Sequence, residues 1–189
     1  MSTMAHFQTE DRGFPTTVVA FSGLAPHNYI YEWSRSFAGL ETNFIGIRDP
    51  DSCWYQNVID TTTKRLRQDL RWVERVVFIG ASAGGFAALM FSRSFTVHRI
   101  IAFCPQSACG GYKRALGDDR WMDFCRPTPN CDIAGPYPSA TVHIGDSEPL
   151  DTMHAGRLGA QIVIWPGGHD LPHELKAKGL LEPILRAAI

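Results

Sequence analysis

Ser82 and His169 are the residues whose types and surroundings most strongly indicate chemistry. Ser82 is the central residue of the pentapeptide GASAG (residues 80–84), which has the G-x-S-x-G spacing of a serine nucleophile. A serine hydroxyl is a weak nucleophile at neutral pH, so it needs a general base that removes its proton. His169, in the sequence PGGHD, is the preferred base because two glycines let its loop turn back toward the serine. His173 is the nearest rival.

The base in turn needs an acid that holds its tautomer and balances the charge it gains. The segment GDSEPLD (residues 145–151) supplies three carboxylates, which gives the chain order serine, acid, histidine. Asp146 is the preferred acid because it is nearest to the end of the preceding strand, where its position is best fixed. Asp151 is the alternative acid, although it also suits the N-cap of the following helix. Glu148 is the third choice.

The residues around Ser82 predict a strand, a tight turn and a helix. Residues 76–79 (VVFI) are a short apolar run typical of a buried strand, and residues 85–90 (GFAALM) suit a helix packed close to the sheet. The N–H of Ala83, at the helix start, would then point to the place where negative charge develops on a substrate oxygen. We expect the second N–H of this oxyanion hole from Leu24, which follows the glycine after an earlier strand.

Six predicted strands alternate with helical stretches along the chain. This alternation predicts a three-layer α/β fold, in which a doubly wound, mostly parallel sheet has helices on both faces. The carboxyl ends of its strands meet at one edge, where the site is expected. The predicted strands are residues 16–21, 42–47, 76–79, 99–104, 140–144 and 160–165, and the main helices are residues 32–40, 58–74, 85–94, 153–158 and 172–187, the last broken near Gly179.

We expect a single domain over residues 15–189, preceded by a flexible lead-in at residues 1–14. Residues 107–138 lose all clear periodicity and are rich in glycine and proline. A loop of this length in a compact domain is usually functional, which predicts a lid-like insert. Two short helices are expected inside it, at residues 112–116 and 120–125.

Composition argues against several classes of protein. The 189 residues carry a net charge of −1 and a pI near 6.6, so the chain has no basic field for nucleic acid. No apolar run approaches the roughly 18 residues that a membrane-spanning helix needs, and no signal peptide is apparent. The five cysteines lack a metal-ligand spacing and are interpreted as reduced thiols of a cytoplasmic protein, with Cys125 and Cys131 as the best disulfide pair if one forms.

Taken together, the GASAG turn, the acid loop, His169 and the Ser-Gly-Leu turn at residues 22–24 resemble the α/β-hydrolase superfamily. The resemblance covers nearly the whole chain. It implies an eight-stranded, mostly parallel sheet, of which this chain keeps six clear strands and little cap. The Ser-Gly-Leu turn differs from the His-Gly type of that superfamily. Residues 103–106 (FCPQ) are also similar to a Phe-Ser-Pro-Gln segment of some small members linked to glycan biosynthesis.

The residues and the resemblance together predict a serine hydrolase that cleaves a carboxylic ester or thioester through an acyl-enzyme on Ser82. Its substrate would be a small-molecule or glycan-linked acyl compound, and this chemistry needs no metal or organic cofactor. Two alternatives stay open: a catalytically silent accessory or binding protein on the same fold, and an acyltransferase. The sequence indicates no oligomeric state. Aromatic residues available to line a substrate pocket are Trp54, Tyr55, Tyr112 and Trp121.

Overall fold

All six predicted strands are present, and a seventh precedes them in the chain. The computed structural model describes residues 4–24, 33–125 and 132–189. The strands are β1 (His6–Glu10), β2 (Thr16–Phe21), β3 (Asn43–Arg48), β4 (Arg75–Ala81), β5 (Arg99–Phe103), β6 (Ala140–Gly145) and β7 (Gln161–Trp165). They form one sheet in the order β1-β3-β2-β4-β5-β6-β7.

The extra strand, β1, lies inside the segment predicted as a flexible lead-in (residues 1–14). It pairs antiparallel with β3, with His6 opposite Arg48 and Glu10 opposite Phe44. The other described strand pairs are parallel. The prediction for residues 6–10 is therefore wrong, because the edge of the sheet offers backbone hydrogen bonds that a polar segment can complete.

The helices follow the predicted alternation with the strands. They are α1 (Ser34–Phe37), α2 (Ile59–Asp69), α3 (Ala83–Ser92), α4 (Gly111–Ala115), α5 (Pro149–Gly156), α6 (Leu171–Ala177) and α7 (Leu181–Arg186), with 3-10 turns at Gln56–Val58 and Met122–Phe124. The break predicted near Gly179 is confirmed, since this residue has a φ of +69° and separates α6 from α7. Within the described ranges, no helix has the length and apolar character to cross a membrane.

Helices cover both faces of the sheet. Successive side chains of a strand point to opposite faces. Phe21 of β2 belongs to the apolar cluster shared with α2, α3 and α5, whereas its neighbour Ala20 belongs to the cluster shared with α1, α6 and α7. The predicted three-layer α/β class is therefore confirmed.

The order of the strands reverses at β2. The strand β3 lies on one side of β2 and β4 on the other, and the three are parallel. Loops that leave the ends of β2 and β4 diverge at such a switch point and leave a crevice where ligands bind in open α/β sheets. Leu24 follows β2 and Ser82 follows β4, so both residues lie at this crevice.

The described parts of the insert (residues 107–125 and 132–138) are packed into the domain. They contain α4 and the turn Met122–Phe124, close to the two predicted short helices. Ile133 and Tyr137 are buried in the same core cluster as α5. Cys131, one half of the predicted disulfide pair, lies outside the described residues.

Candidate active site

Ser82 occupies a strained turn between β4 and α3. Its φ of 51° and ψ of −119° lie outside the regions that residues other than glycine favour. Its N–H donates to the carbonyl of Phe103 at 2.9 Å, and its carbonyl accepts from the N–H of Phe86 at 3.0 Å. Such a conformation costs about 1–3 kcal/mol and persists where the surrounding structure imposes it, often at a functional site.

The two glycines of the pentapeptide permit this turn. A Cβ on Gly80 would collide with the backbone of Gly84, and a Cβ on Gly84 would collide with the carbonyl of Phe21. The strand and the helix therefore approach more closely than side chains at these positions would allow, as the sequence predicts.

His169 lies in the turn between β7 and α6 and is paired with Asp151. Its Nδ1 is 2.7 Å from Oδ2 of Asp151, a fully buried side chain in the first turn of α5. An ionised carboxylate only accepts hydrogen bonds, so Nδ1 carries the hydrogen and donates it. The basic nitrogen of the neutral ring is then Nε2. This atom is buried and has no hydrogen-bond partner among the described residues.

The carboxylate beside His169 is therefore that of Asp151, the alternative acid, and not that of the preferred Asp146. The exposed Asp146 side chain accepts a hydrogen bond from the N–H of Gly167 at 3.1 Å. Its own N–H donates to the carbonyl of Trp165 at 2.9 Å. Proximity to the strand end favours Asp146 in the sequence, but the residues directly after β6 stay beside the end of β7. The first turn of α5, and not the loop directly after β6, brings a carboxylate to the imidazole.

Ser82 and His169 line the same small cavity. Its volume is about 190 Å³, and the predicted oxyanion residue Leu24 forms part of its wall. Ala83, the other predicted donor, begins α3 directly after the serine. His173, the rival base, lines the rim and has an exposed side chain. The preferred base thus shares a cavity with the predicted nucleophile and with one of the two oxyanion residues.

Among the aromatic residues proposed as pocket walls, Trp121 lines this cavity. Its ring centroid is 4.7 Å from that of His169, with the rings tilted by 36°. Tyr112 lies instead under the guanidinium of a nearby arginine. Trp54 and Tyr55 are buried in the core beside α3, so the prediction is wrong for these two residues.

A buried ion network lies behind the acid, and the sequence analysis missed it. The Nη2 atom of Arg120 is 3.0 Å from Oδ1 of Asp151 and 2.9 Å from Oδ2 of Asp118. Asp118 also forms an ion pair with Nζ of Lys113 at 2.8 Å and accepts a hydrogen bond from Nε2 of His154 at 3.1 Å. Three of these residues come from the aperiodic insert and two from α5, so no spacing in the sequence links them.

Burial and charge oppose each other in this network. Burial by itself would raise the pKa of Asp118, but hydrogen bonds from Arg120, Lys113 and His154 outweigh it and hold the pKa far below its usual range. For Lys113 and His154, burial dominates and lowers the pKa. Asp118 is therefore an ionised carboxylate paired with the Arg120 guanidinium, whereas burial favours the uncharged forms of Lys113 and His154.

Cys104, in the FCPQ segment after β5, lies beside Asp151 and His169. One donor atom from each of the three residues lies within 4.8 Å of the others, a spacing that a metal ion could bridge. Burial, followed by the negative charge of Asp151, raises the pKa of the Cys104 thiol to about 12. The thiol is therefore protonated at neutral pH, and Asp151 already has two partners. Because both oxygens of Asp151 already accept hydrogen bonds, from His169 and Arg120, we interpret this carboxylate as the partner of the imidazole.

Similarity to known proteins is visible in the structure and not in the sequence. No protein-family profile matches the chain, and no curated protein sequence matches it significantly. The structure resembles that of the capsule O-acetyltransferase of Neisseria meningitidis serogroup A, with a TM-score of 0.68 and 13% identity over 97% of this chain and 90% of that one.

Esterase-like structures match over a similar extent. A lipase-esterase related protein from Clostridium acetobutylicum gives a TM-score of 0.63 and 13% identity over 99% of this chain and 100% of that one. The esterase Est2 of Thermogutta terrifontis gives a TM-score of 0.60 and 14% identity over 95% of this chain and 86% of that one. The chain has an α/β-hydrolase-like fold. At such identities the likeness concerns the fold alone. This α/β-hydrolase-like sheet has seven described strands, against the eight that the resemblance implied.

Proposed function

We propose that this protein is a serine hydrolase that cleaves a carboxylic ester or thioester through an acyl-enzyme on Ser82. The observation that carries the proposal is the 2.7 Å pairing of His169 Nδ1 with the buried Asp151 carboxylate. It leaves Nε2 as the base in the cavity that Ser82 lines. A serine on a strained turn, a base and its orienting acid are the parts that nucleophilic acyl transfer requires.

In the first half of the reaction, Nε2 of His169 removes the hydroxyl proton while Oγ of Ser82 attacks the acyl carbon. The carbonyl oxygen becomes an oxyanion, which the N–H groups of Ala83 and Leu24 stabilise. Collapse of this intermediate breaks the bond to the leaving group, which takes the proton from the imidazolium. Asp151 stabilises that imidazolium and keeps the ring in one tautomer.

In the second half, water replaces the leaving group. His169 takes a proton from the water as its oxygen attacks the acyl carbon, and a second oxyanion forms at the same donors. Collapse releases the carboxylic acid and returns the proton to Oγ of Ser82. The cycle consumes one water and needs no oxidant, reductant or second substrate.

Labelling with a fluorophosphonate probe tests the proposal directly, because such probes react with activated serines. We expect the wild type to be labelled, and Ser82→Ala and His169→Ala to remain unlabelled. Hydrolysis of p-nitrophenyl acetate should fall by about four to six powers of ten in Ser82→Ala, the scale of nucleophile removal in serine enzymes. Intact hydrolysis by a folded Ser82→Ala protein would show that another group is the nucleophile.

Acyl transfer is the second candidate, supported by the likeness of this fold to a capsule O-acetyltransferase as well as to esterases. The same acyl-enzyme would form, and a hydroxyl or thiol of an acceptor, such as a glycan, would replace water. Product analysis in the presence of added alcohols, thiols and sugars separates the two reactions. Acylated acceptor in excess over free acid would identify a transferase.

The third hypothesis is that the chain is a catalytically silent accessory or binding protein on this fold. It predicts a folded wild type that neither labels nor hydrolyses esters. In that case, the described insert around Trp121 is where ligand binding should be measured first, because this residue lines the cavity.

A further inference from the structure

Arg120 joins the insert to the acid of the proposed active site. Its guanidinium contacts Asp118 through Nε and Nη2, both at 2.9 Å, and contacts Asp151 through Nη2 at 3.0 Å. The planar fork of an arginine fixes several donor directions at once, which a lysine ammonium does not do. The rigid guanidinium of Arg120 therefore fixes the position of the Asp151 carboxylate relative to that of Asp118.

Asp151 depends on this contact because its side chain is fully buried. One carboxylate oxygen accepts from His169 at 2.7 Å, and the other accepts from Arg120 at 3.0 Å. A buried carboxylate that loses a charged partner is strongly disfavoured. The second contact also defines the plane of the carboxylate, and so the direction in which Oδ2 meets the imidazole.

The insert holds Arg120 itself in place. Its partner Asp118 is buried, and Oδ2 of this carboxylate is also contacted by Lys113 and His154. The next residue in the chain, Trp121, lies against the ring of His169, and the guanidinium is 5.3 Å from the Trp121 centroid. Two consecutive residues of the insert thus contact the acid and the base respectively.

We propose that Arg120 is a positioning residue that acts through Asp151: it orients the carboxylate toward His169 and, by sharing its negative charge, extends activity to lower pH. The inference rests on the proposed serine-hydrolase function. The carboxylate stabilises the protonated imidazole, and a guanidinium on its second oxygen offsets part of that stabilisation. Loss of the guanidinium should therefore strengthen the attraction between Asp151 and the protonated imidazole.

Other titratable and charged groups face the pair of Asp151 and His169. Burial alone would lower the pKa of Arg120, but hydrogen bonding to Asp118 and the charge of Asp151 outweigh it and raise the pKa, so the guanidinium stays cationic. The groups that face the pair are Asp118 and Lys113 of the insert, Glu148 and His154 of α5 or its start, Cys104 after β5, and the exposed Asp170 and His173 at α6. Solvent screens the charges of Asp170 and His173. Arg120 is the guanidinium in direct contact with Asp151.

The test compares Arg120→Met, Arg120→Lys and the control Arg114→Met in the full chain. Arg114 is an exposed residue of α4, six positions before Arg120, so the control makes the same change in the same insert. The readouts are kcat and KM for p-nitrophenyl acetate, the pH profile of kcat/KM, and the thermal unfolding midpoint.

For Arg120→Met we expect kcat to fall by up to about 100-fold, the cost of a misplaced catalytic group. KM should change little, because Arg120 is not among the residues that line the cavity. The acid limb of the pH profile should move to higher pH by about one unit, since removal of a neighbouring cation favours the protonated imidazole. Arg120→Lys should keep the acid limb near that of the wild type and recover part of kcat. Arg114→Met should behave as the wild type does.

A lower unfolding midpoint with an unchanged kcat and pH profile would reduce Arg120 to a structural role and overturn the inference. If Arg120→Met does not fold, Arg120→Lys carries the test, and full activity with a shifted acid limb in that variant contradicts the orienting role. Failure of the proposed function gives a different result. The wild type is then not labelled by a fluorophosphonate, and Ser82→Ala hydrolyses the ester as fast as the wild type does.

Discussion

Asp151→Asn is the substitution that most sharply tests the geometry of the site. The carboxylate accepts the hydrogen of His169 Nδ1 at 2.7 Å and that of Arg120 at 3.0 Å. An asparagine can still accept from Arg120 through its carbonyl, but its amide group then faces Nδ1. A donor there moves the imidazole hydrogen to Nε2, the nitrogen that must accept the proton of Ser82.

The expected loss follows from this change of tautomer. In serine enzymes, the same replacement lowers kcat by about 10⁴ while the geometry stays intact. A factor of 10⁴ corresponds to about 5 kcal/mol of activation free energy. The free energy of unfolding should fall by much less, about 1–3 kcal/mol, because one buried hydrogen bond is weakened and the side-chain volume is kept. Activity and stability should therefore separate clearly.

Asp146→Asn is the matched control, since it makes the same change on an exposed side chain five residues earlier in the chain. Its carboxylate contacts the N–H of Gly167, which an asparagine carbonyl also accepts. Both variants would be assayed with p-nitrophenyl acetate, and their folding would be checked by circular dichroism. A large loss in Asp146→Asn with an active Asp151→Asn would refute the assignment of the acid.

Three further outcomes follow from the structure. Gly84→Ala should prevent folding or lower the free energy of unfolding by more than about 4 kcal/mol, because its Cβ would overlap a carbonyl of β2. Gly111→Ala, with open space around the glycine, should not lower the midpoint of urea unfolding. Equal midpoints for the two variants would contradict the close approach at Gly84. Trp121→Ala should raise KM by up to about tenfold through loss of a wall that lies against His169, and an unchanged KM would exclude that role. Burial lowers the pKa of His143 from 6.5 to about 4, so the unfolded chain takes up its proton first as the pH falls. The stability present above pH 6.5 should be lost progressively down to pH 4, by up to about 3 kcal/mol. Urea unfolding of wild type and His143→Gln over this range measures the loss, and identical pH dependence would contradict it.

The fold was predictable because its strands are apolar and bounded by turn residues. The strand β4, with five consecutive buried residues, is easily distinguished from its surroundings. The segment HFQTE of β1 lacks this signal, since two of its five residues are exposed and none is fully buried. An edge strand is stabilised by backbone pairing with a neighbour, and composition does not record that pairing.

The sequence brings the proposed nucleophile and the proposed base to one cavity because both follow strand ends closely. The acid could not be chosen in the same way. Asp146 and Asp151 lie five residues apart, and the choice depends on where the chain turns after β6. That turn is determined by hydrogen bonds to the loop after β7, which includes the carbonyl of Trp165 at 2.9 Å from the N–H of Asp146. No local pattern encodes a contact between two loops.

The insert is better understood as part of the site than as a cover for it. Lys113 and Asp118 are fully buried charges, and replacing such groups by apolar residues is often neutral or stabilising in other proteins. The fold alone therefore does not explain their presence. A fixed donor on the second oxygen of Asp151 does explain it, because Arg120 needs an anchored carboxylate on its other side. Arg120 and Asp151 lie 31 residues apart in sequence. In this interpretation, Lys113 and Asp118 are kept in the interior, although their burial costs stability, because they fix the guanidinium that orients Asp151.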